Sequence, residues 1–153
     1  MFELIHSISV DVESGTAVGH AVVPKDYPVL ADHFPERPLL PGSFLIELSA
    51  QIAGPLAEEV GKARFQQMKS ALLGMVRESK FLYVCALPTT LRIHAEVMRL
   101  ERSSVHVKAA VDVTGSKVFQ GELVMMMQDI RPEWLEAFKV RKERLEKWKA
   151  AAG

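Results

Sequence analysis

The chain has 153 residues, of which 48% are hydrophobic and 25% charged, a composition typical of one folded domain with a sizeable core. Nineteen basic residues balance nineteen acidic ones, so no nucleic-acid partner is expected. The single cysteine, Cys85, excludes an intrachain disulfide and favours a reducing, cytoplasmic location. The N-terminus does not resemble a signal peptide, and no apolar run reaches the roughly 20 residues of a membrane span.

The first half of the chain predicts a hairpin, a loop and a long helix. Residues 2–12 and 16–23 are rich in β-branched residues and predict two paired strands. Residues 24–42 contain five prolines and predict an ordered loop, with a short helical turn near 29–33. A helix is predicted over residues 43–61.

The second half predicts four strands and a terminal helix. The strand-like runs are residues 67–78, 90–101, 104–113 and 117–128, and their short links predict an antiparallel meander. A helix is predicted from Pro132 onward, because apolar residues recur there at helical spacing.

This order of elements predicts an α+β hotdog fold. The long helix is apolar over most of its surface, and a curved antiparallel sheet wrapped around it would bury that surface. We expect one domain over residues 1–153, with a core over about 3–128 and a C-terminal helical extension over about 132–150.

One polar stripe interrupts the long helix. Glu47, Gln51, Gly54 and Glu58 fall on this stripe at 100° per residue. Glu58, near the helix end, is predicted to face solvent. Glu47 lies one turn inside a largely buried helix, so burial would make it a candidate acid. Pro55 is expected to kink or loosen the helix.

The segment before the helix contains a candidate base and a candidate oxyanion site. Gly42 would let a substrate carbonyl approach the free N–H groups of the helix start, although on its own it is better explained as completing a Pro-Gly turn. A lone histidine is usually a packed or surface residue, but His33 lies in a rigid loop that leads to Glu47. Such a base and acid would suit coupled proton abstraction and donation.

The same segment resembles the active-site signature of a known enzyme family. The chain reads His33-Phe34-Pro35-x-x-Pro38-x-x-Pro41-Gly42, followed by Glu47 and Ala50-Gln51. This pattern is similar to that of hotdog-fold 3-hydroxyacyl-acyl-carrier-protein dehydratases of the fatty-acid and polyketide type. The order of elements fits this family over about residues 3–128.

The resemblance implies a dehydration carried out at the interface of a homodimer, which could form part of a higher assembly. His33 of one subunit would take the α-proton of a 3-hydroxyacyl thioester, and Glu47 of the other would protonate or bind the leaving hydroxyl. The N–H of Gly42 would hold the thioester oxygen, and Gln51 would orient the carboxylate or a water. The product would be a trans-2-enoyl thioester, in fatty-acid or specialised polyketide and polyene lipid biosynthesis.

The resemblance also implies the form of the substrate. The acyl group would arrive on the phosphopantetheine arm of an acyl carrier protein, so no metal or redox cofactor is expected. Phe34 and Pro41 would contact the substrate. Arg37, Lys80 or the terminal helix would receive the carrier protein.

Two alternative functions remain open. A hotdog thioesterase would share the fold but generally lacks this His-to-Gly spacing. A non-catalytic module that binds an acyl chain or carrier protein is kept open by Glu36, which stands where the family usually has glycine. The product, an enoyl thioester, a free thiol or nothing, would separate these functions.

Three other features favour structural roles. Cys85 is predicted to be a buried strand residue. Residues 125–127, three methionines, are predicted to alternate between the core and positions that face the helix or a partner, with the lining of an acyl tunnel as the alternative. The terminal helix has seven basic and four acidic residues between Arg131 and Lys149. It is predicted to pack on the sheet, with carrier-protein docking as the alternative.

Overall fold

The structure is a computed structural model that describes residues 3–153. In chain order its elements are β1 (Ile5–Asp11), β2 (Thr16–Val23), β3 (Leu39–Leu40), α1 (Gly42–Phe65), β4 (Ser70–Phe81), β5 (Cys85–Ala86), β6 (Thr89–Leu100), β7 (Ser104–Val113), β8 (Ser116–Gln128) and α2 (Leu135–Ala152). Short 3-10 turns cover Pro28–Leu30 and Pro132–Trp134.

Six strands form one antiparallel sheet in the order β1-β2-β6-β7-β8-β4, and β3 pairs with β5 in a small separate ribbon. The predicted N-terminal hairpin is confirmed within the described residues; residue 2, included in that prediction, lies outside them. The meander is confirmed for β6, β7 and β8. The predicted strand over 67–78 corresponds to β4, but it is not the first strand of that meander. It pairs with β8, the last strand in the chain, at the edge of the sheet.

The sheet wraps around α1, which contacts all six strands. Leu48, Ile52 and Leu56 of the helix are fully buried. The approach is close at Gly19 of β2, where any Cβ atom would overlap the Ile52 side chain. This arrangement confirms the predicted hotdog fold.

The helix α1 ends later than the sequence predicts. It passes through residue 61 and ends at Phe65, where Gln66 adopts a left-handed conformation with φ 59° and donates its N–H to the Lys62 carbonyl. It also continues on both sides of Pro55, so the proline does not end the helix. Burial against the sheet offsets the hydrogen bond that proline removes.

The two edges of the sheet differ. The edge strand β1 packs against α2, whereas β4 pairs only with β8 among the described strands. Every residue of β4 after Ala71 is exposed. Large apolar side chains are among them: Leu72, Leu73, Met75, Val76 and Phe81.

Within residues 3–153, neither α-helix combines the length and the hydropathy that a helix needs to cross a membrane.

Candidate active site

The start of α1 lies against the end of the edge strand β4. Pro41 precedes the helix in an extended conformation, and its carbonyl accepts the N–H of Phe44 at 3.0 Å. A Cβ atom on Gly42 would lie 2.7 Å from Cε1 of Phe81, so glycine is needed for this contact. The first N–H groups of an α-helix have no partner within the helix and carry the positive end of its dipole. Gly42 therefore has a packing role, and its predicted oxyanion role stays a prediction.

One turn into α1, the structure brings two predicted site residues together. Nε2 of Gln51 donates a hydrogen bond to Oε1 of Glu47 at 3.0 Å. In the single chain Glu47 is exposed, so the predicted burial of this carboxylate is wrong for one subunit alone. The reason is that the polar stripe faces away from the sheet and into a groove beside β4.

That groove is a cavity of about 680 Å³ with a mostly apolar lining. Its volume lies in the range usual for small-molecule sites. Glu47 and Gln51 stand on the α1 wall, and β4, β8 and α2 supply the other walls. The apolar side chains that line it are Phe44, Ala50, Pro55, Ala71, Leu72, Leu73, Met125, Leu145 and Trp148.

The predicted base, His33, lies in the proline-rich loop. Its backbone N–H bonds to the Leu30 carbonyl at 3.0 Å, and its ring meets Phe34 edge to face with centroids 4.5 Å apart. Both side chains are exposed, and Phe34 has a positive φ of 53°, which is unusual for a non-glycine residue. No hydrogen bond or ring contact in the described chain joins His33 to Glu47. Their predicted meeting across a subunit interface stays a prediction.

At the other end of the polar stripe, Glu58 is buried, with 1% of its surface exposed. It accepts the N–H of Ala71 at 2.9 Å and forms ion pairs with Arg141 and with Lys142, the latter at 3.3 Å. The prediction that Glu58 faces solvent is wrong, because α2 covers this end of α1. A cluster of cations on α2 was the only sequence signal of this contact.

The terminal helix packs on the domain through both charged and apolar side chains. Arg144 pairs with Glu3 at 3.1 Å, Leu145 is buried and Trp148 contacts the core. The prediction of a packed helix is confirmed. Three cations of this helix, Arg141, Lys142 and Arg144, pair with acidic side chains of the same chain, whereas carrier-protein docking by the helix stays a prediction.

The remaining candidates are Cys85 and the methionines of β8, of which Met125 also lines the cavity. Cys85 is buried in β5, and burial raises the pKa of its thiol, which makes it a poor nucleophile. Met125 and Met127 are buried while Met126 is exposed, which confirms the alternation. Among residues 3–153, no group of three His, Cys, Asp or Glu side chains could hold a metal ion. That the reaction needs no metal or redox cofactor stays a prediction.

Comparison with known proteins shows the family. The model of the FabA-like domain matches residues 1–124. A 3-hydroxyacyl-[acyl-carrier-protein] dehydratase FabZ of Clostridium botulinum is 30% identical over 126 residues, which cover 82% of this chain and 85% of the relative. The FabZ of Clostridium acetobutylicum is 26% identical over 118 residues, which cover 76% and 82% of the two chains.

A solved structure agrees on the fold. A Streptococcus mutans protein, crystallised with acetyl CoA bound, superimposes with a TM-score of 0.66 over 84% of this chain and 92% of that one, at 17% identity. Because the FabA-like model spans most of the sequence and a FabZ relative is similar along most of both chains, this protein belongs to the FabA-like family of 3-hydroxyacyl-[acyl-carrier-protein] dehydratases.

Proposed function

We propose that this protein dehydrates 3-hydroxyacyl thioesters, carried on acyl carrier protein, to trans-2-enoyl thioesters. The observation that carries the proposal is the Glu47 carboxylate, held by Gln51 in the wall of a mostly apolar cavity of about 680 Å³. An apolar cavity suits an acyl chain, and a carboxylic acid in its wall suits a leaving hydroxyl group. The relatives at 26% and 30% identity are named for this reaction.

The proposed reaction needs one base, one acid and one site for negative charge. The His33 imidazole removes a proton from C2 of the acyl group, and that electron pair becomes the C2–C3 double bond. The C3–O bond breaks, and the oxygen takes a proton from the Glu47 carboxylic acid and leaves as water. The N–H groups at the helix start, including that of Gly42, stabilise the charge that develops on the thioester oxygen.

A second copy of the chain would complete this site. In one chain His33 has no described contact with Glu47, while β4 presents a long, apolar and unpaired edge. Pairing of β4 with β4 of a second copy would cover that edge. Because Phe81 of β4 lies against Gly42, the paired strand would run beside the start of α1 and shield Glu47.

The direct test is mass spectrometry of a 3-hydroxyacyl carrier protein incubated with the protein. We expect the acyl group to lose one water molecule. His33→Ala and Glu47→Gln should each lower the rate by about 10²–10⁴-fold, the usual contribution of a general acid or base. His6→Ala, which changes an exposed histidine of β1, is the matched control and should keep the wild-type rate. Release of the free acid, or no change in mass, would refute the proposal.

The shared site has its own test. Chains with His33→Ala and chains with Glu47→Gln, each inactive alone, are co-purified as a heterodimer with two different tags. One of the two sites then contains both an intact His33 and an intact Glu47, so activity should return. A verified heterodimer with no activity would show that both residues act within one chain.

A further inference from the structure

We propose that α2 is the end wall of the acyl cavity and sets the longest acyl chain that the protein accepts. This inference rests on the proposed function and concerns the substrate range of the same site. The family match ends at residue 124, so α2 lies entirely outside it. The helix thus lies beyond the matched residues and still reaches the cavity that contains Glu47.

The first step is the position of α2. Leu145 and Trp148 line the same cavity as Glu47 and Gln51. Both side chains present apolar surface, so they would contact the hydrocarbon end of a substrate and not its thioester. Three cations of α2, Arg141, Lys142 and Arg144, also line the cavity. Glu58 pairs with the first two and Glu3 with the third, which leaves their aliphatic stems to complete the wall.

The second step is the length of the cavity along α1. Glu58, which binds α2, follows Glu47 by eleven residues. At a rise of 1.5 Å per residue, the two are separated by about 16 Å along the helix axis. An acyl chain that begins beside Glu47 and runs past Gln51 and Gly54 therefore meets α2 within about that distance.

The third step is the rigidity of the wall. Both carboxylate oxygens of Glu58 are used, one by Arg141 and the Ala71 N–H, the other by Lys142. A second ion pair joins Lys149 to Glu59, one residue further along α1. Contacts at both ends of the segment that contains Leu145 and Trp148 hold it in place. An acyl chain longer than the cavity would have to break these contacts in order to displace α2.

The fourth step is the open space opposite the wall. Gly54 lies on α1 between Glu47 and Glu58 and lines the cavity. A Cβ atom built on Gly54 would find its nearest neighbour, Cε of Met125, at 3.9 Å. A methyl group therefore fits at this position without a clash, and it would narrow the cavity.

The test measures kcat/KM for a series of 3-hydroxyacyl carrier proteins of increasing chain length. For the wild type we expect a limiting length, beyond which each extra methylene costs about tenfold or more. The series Trp148→Phe, Trp148→Leu and Trp148→Ala should move that limit stepwise to longer chains while the shortest substrates keep their rate. Gly54→Ala should move it to shorter chains. Val140→Ala, at an exposed position of α2 outside the cavity lining, should leave it unchanged.

The outcomes distinguish a failure of the proposed role of α2 from a failure of the proposed dehydration. A wild type that is inactive on every chain length would refute the proposed function itself. An active wild type whose limit is the same in Trp148→Ala, with thermal unfolding unchanged, would overturn the wall. An equal loss of kcat/KM at every length would also overturn it, because a wall acts only on chains that reach it.

A binding measurement needs no catalysis. The chain has two tryptophans, so Trp134→Phe leaves Trp148 as the only one. We expect non-hydrolysable amide analogues of acyl-pantetheine to shift the Trp148 emission, with a shift that grows with chain length up to the limit. Absence of any shift at saturating ligand, across all lengths, would show that Trp148 does not meet the acyl chain.

Discussion

At the scale of single residues, Gln51 tests how far the proposed acid depends on one hydrogen bond. Gln51→Met keeps the length of the side chain and a good helix former but removes the bond to Glu47. A hydrogen bond between neutral groups contributes about 0.5–1.5 kcal/mol, so loss of the bond that positions the carboxylic acid should lower kcat about 2–10-fold. Steady-state kinetics with Gln67→Met as the exposed control would measure this. A wild-type kcat would remove Gln51 from the site.

Cys85 gives a prediction that depends on pH. Burial raises the pKa of its thiol, so near the ordinary thiol pKa of about 8.5 the folded protein should react with a thiol reagent far more slowly than the urea-unfolded chain. Because the folded state keeps this proton to higher pH, the contribution to stability is complete below the unfolded pKa and declines as pH rises through the folded one. Rapid labelling of the folded protein would contradict the buried position.

The two glutamates of the stripe show what the sequence can predict about a site. The contact between Glu47 and Gln51 was predictable, because residues four apart meet on any helix. The sequence predicts a buried Glu47 and an exposed Glu58, whereas in one chain Glu47 is exposed and Glu58 is buried. Glu58 is buried by α2, and Glu47 has no such cover in one chain. Both depend on contacts between distant parts of the chain, which helical periodicity does not record.

At the scale of elements, the features with a local sequence signal could be predicted, and the features set by contacts between distant parts of the chain could not. The hairpin turns at Gly15 and Gly115, with φ of 69° and 82°, carry their own signal, since positive φ favours glycine. The position of β4 beside β8 follows a crossover and has no local signal. The two-residue strands β3 and β5 are too short to show a period.

Glu58 attaches α2 to α1 through two ion pairs. Glu58→Gln removes the charge that pairs with Arg141 and Lys142, while those two cations keep access to water through partly exposed side chains. We therefore expect a loss of about 1–3 kcal/mol in the free energy of unfolding, below the full cost of a buried unpaired charge. Urea denaturation measures it, with Glu143→Gln at an exposed position of α2 as the control. Equal stability of the two variants would mean that the ion pairs do not hold α2.

At the scale of the whole molecule, one edge of the sheet is covered by α2 and the other edge is left open in a single chain. An exposed and apolar edge strand invites pairing with another chain, and natural proteins protect such edges. In this protein α2 packs on β1, but β4, twelve residues long, has only β8 beside it among the described strands. In the proposed dimer, a second copy would supply a partner strand of equal length and the same apolar character.

Val76 offers the sharpest test of that pairing, because it lies near the middle of β4 and is 37% exposed. In a symmetric antiparallel pair the two copies of residue 76 would lie close together, so Val76→Lys should repel its own copy and give a monomer by sedimentation. Val29→Lys, at a 62% exposed loop position, should remain a dimer. Val76→Glu alone should also be monomeric, and mixing it with Val76→Lys should restore a heterodimer. If the site is shared between two chains as proposed, the dehydratase activity should return with that heterodimer. A Val76→Lys monomer with full activity would contradict the shared site, and an unchanged dimer would place the interface elsewhere.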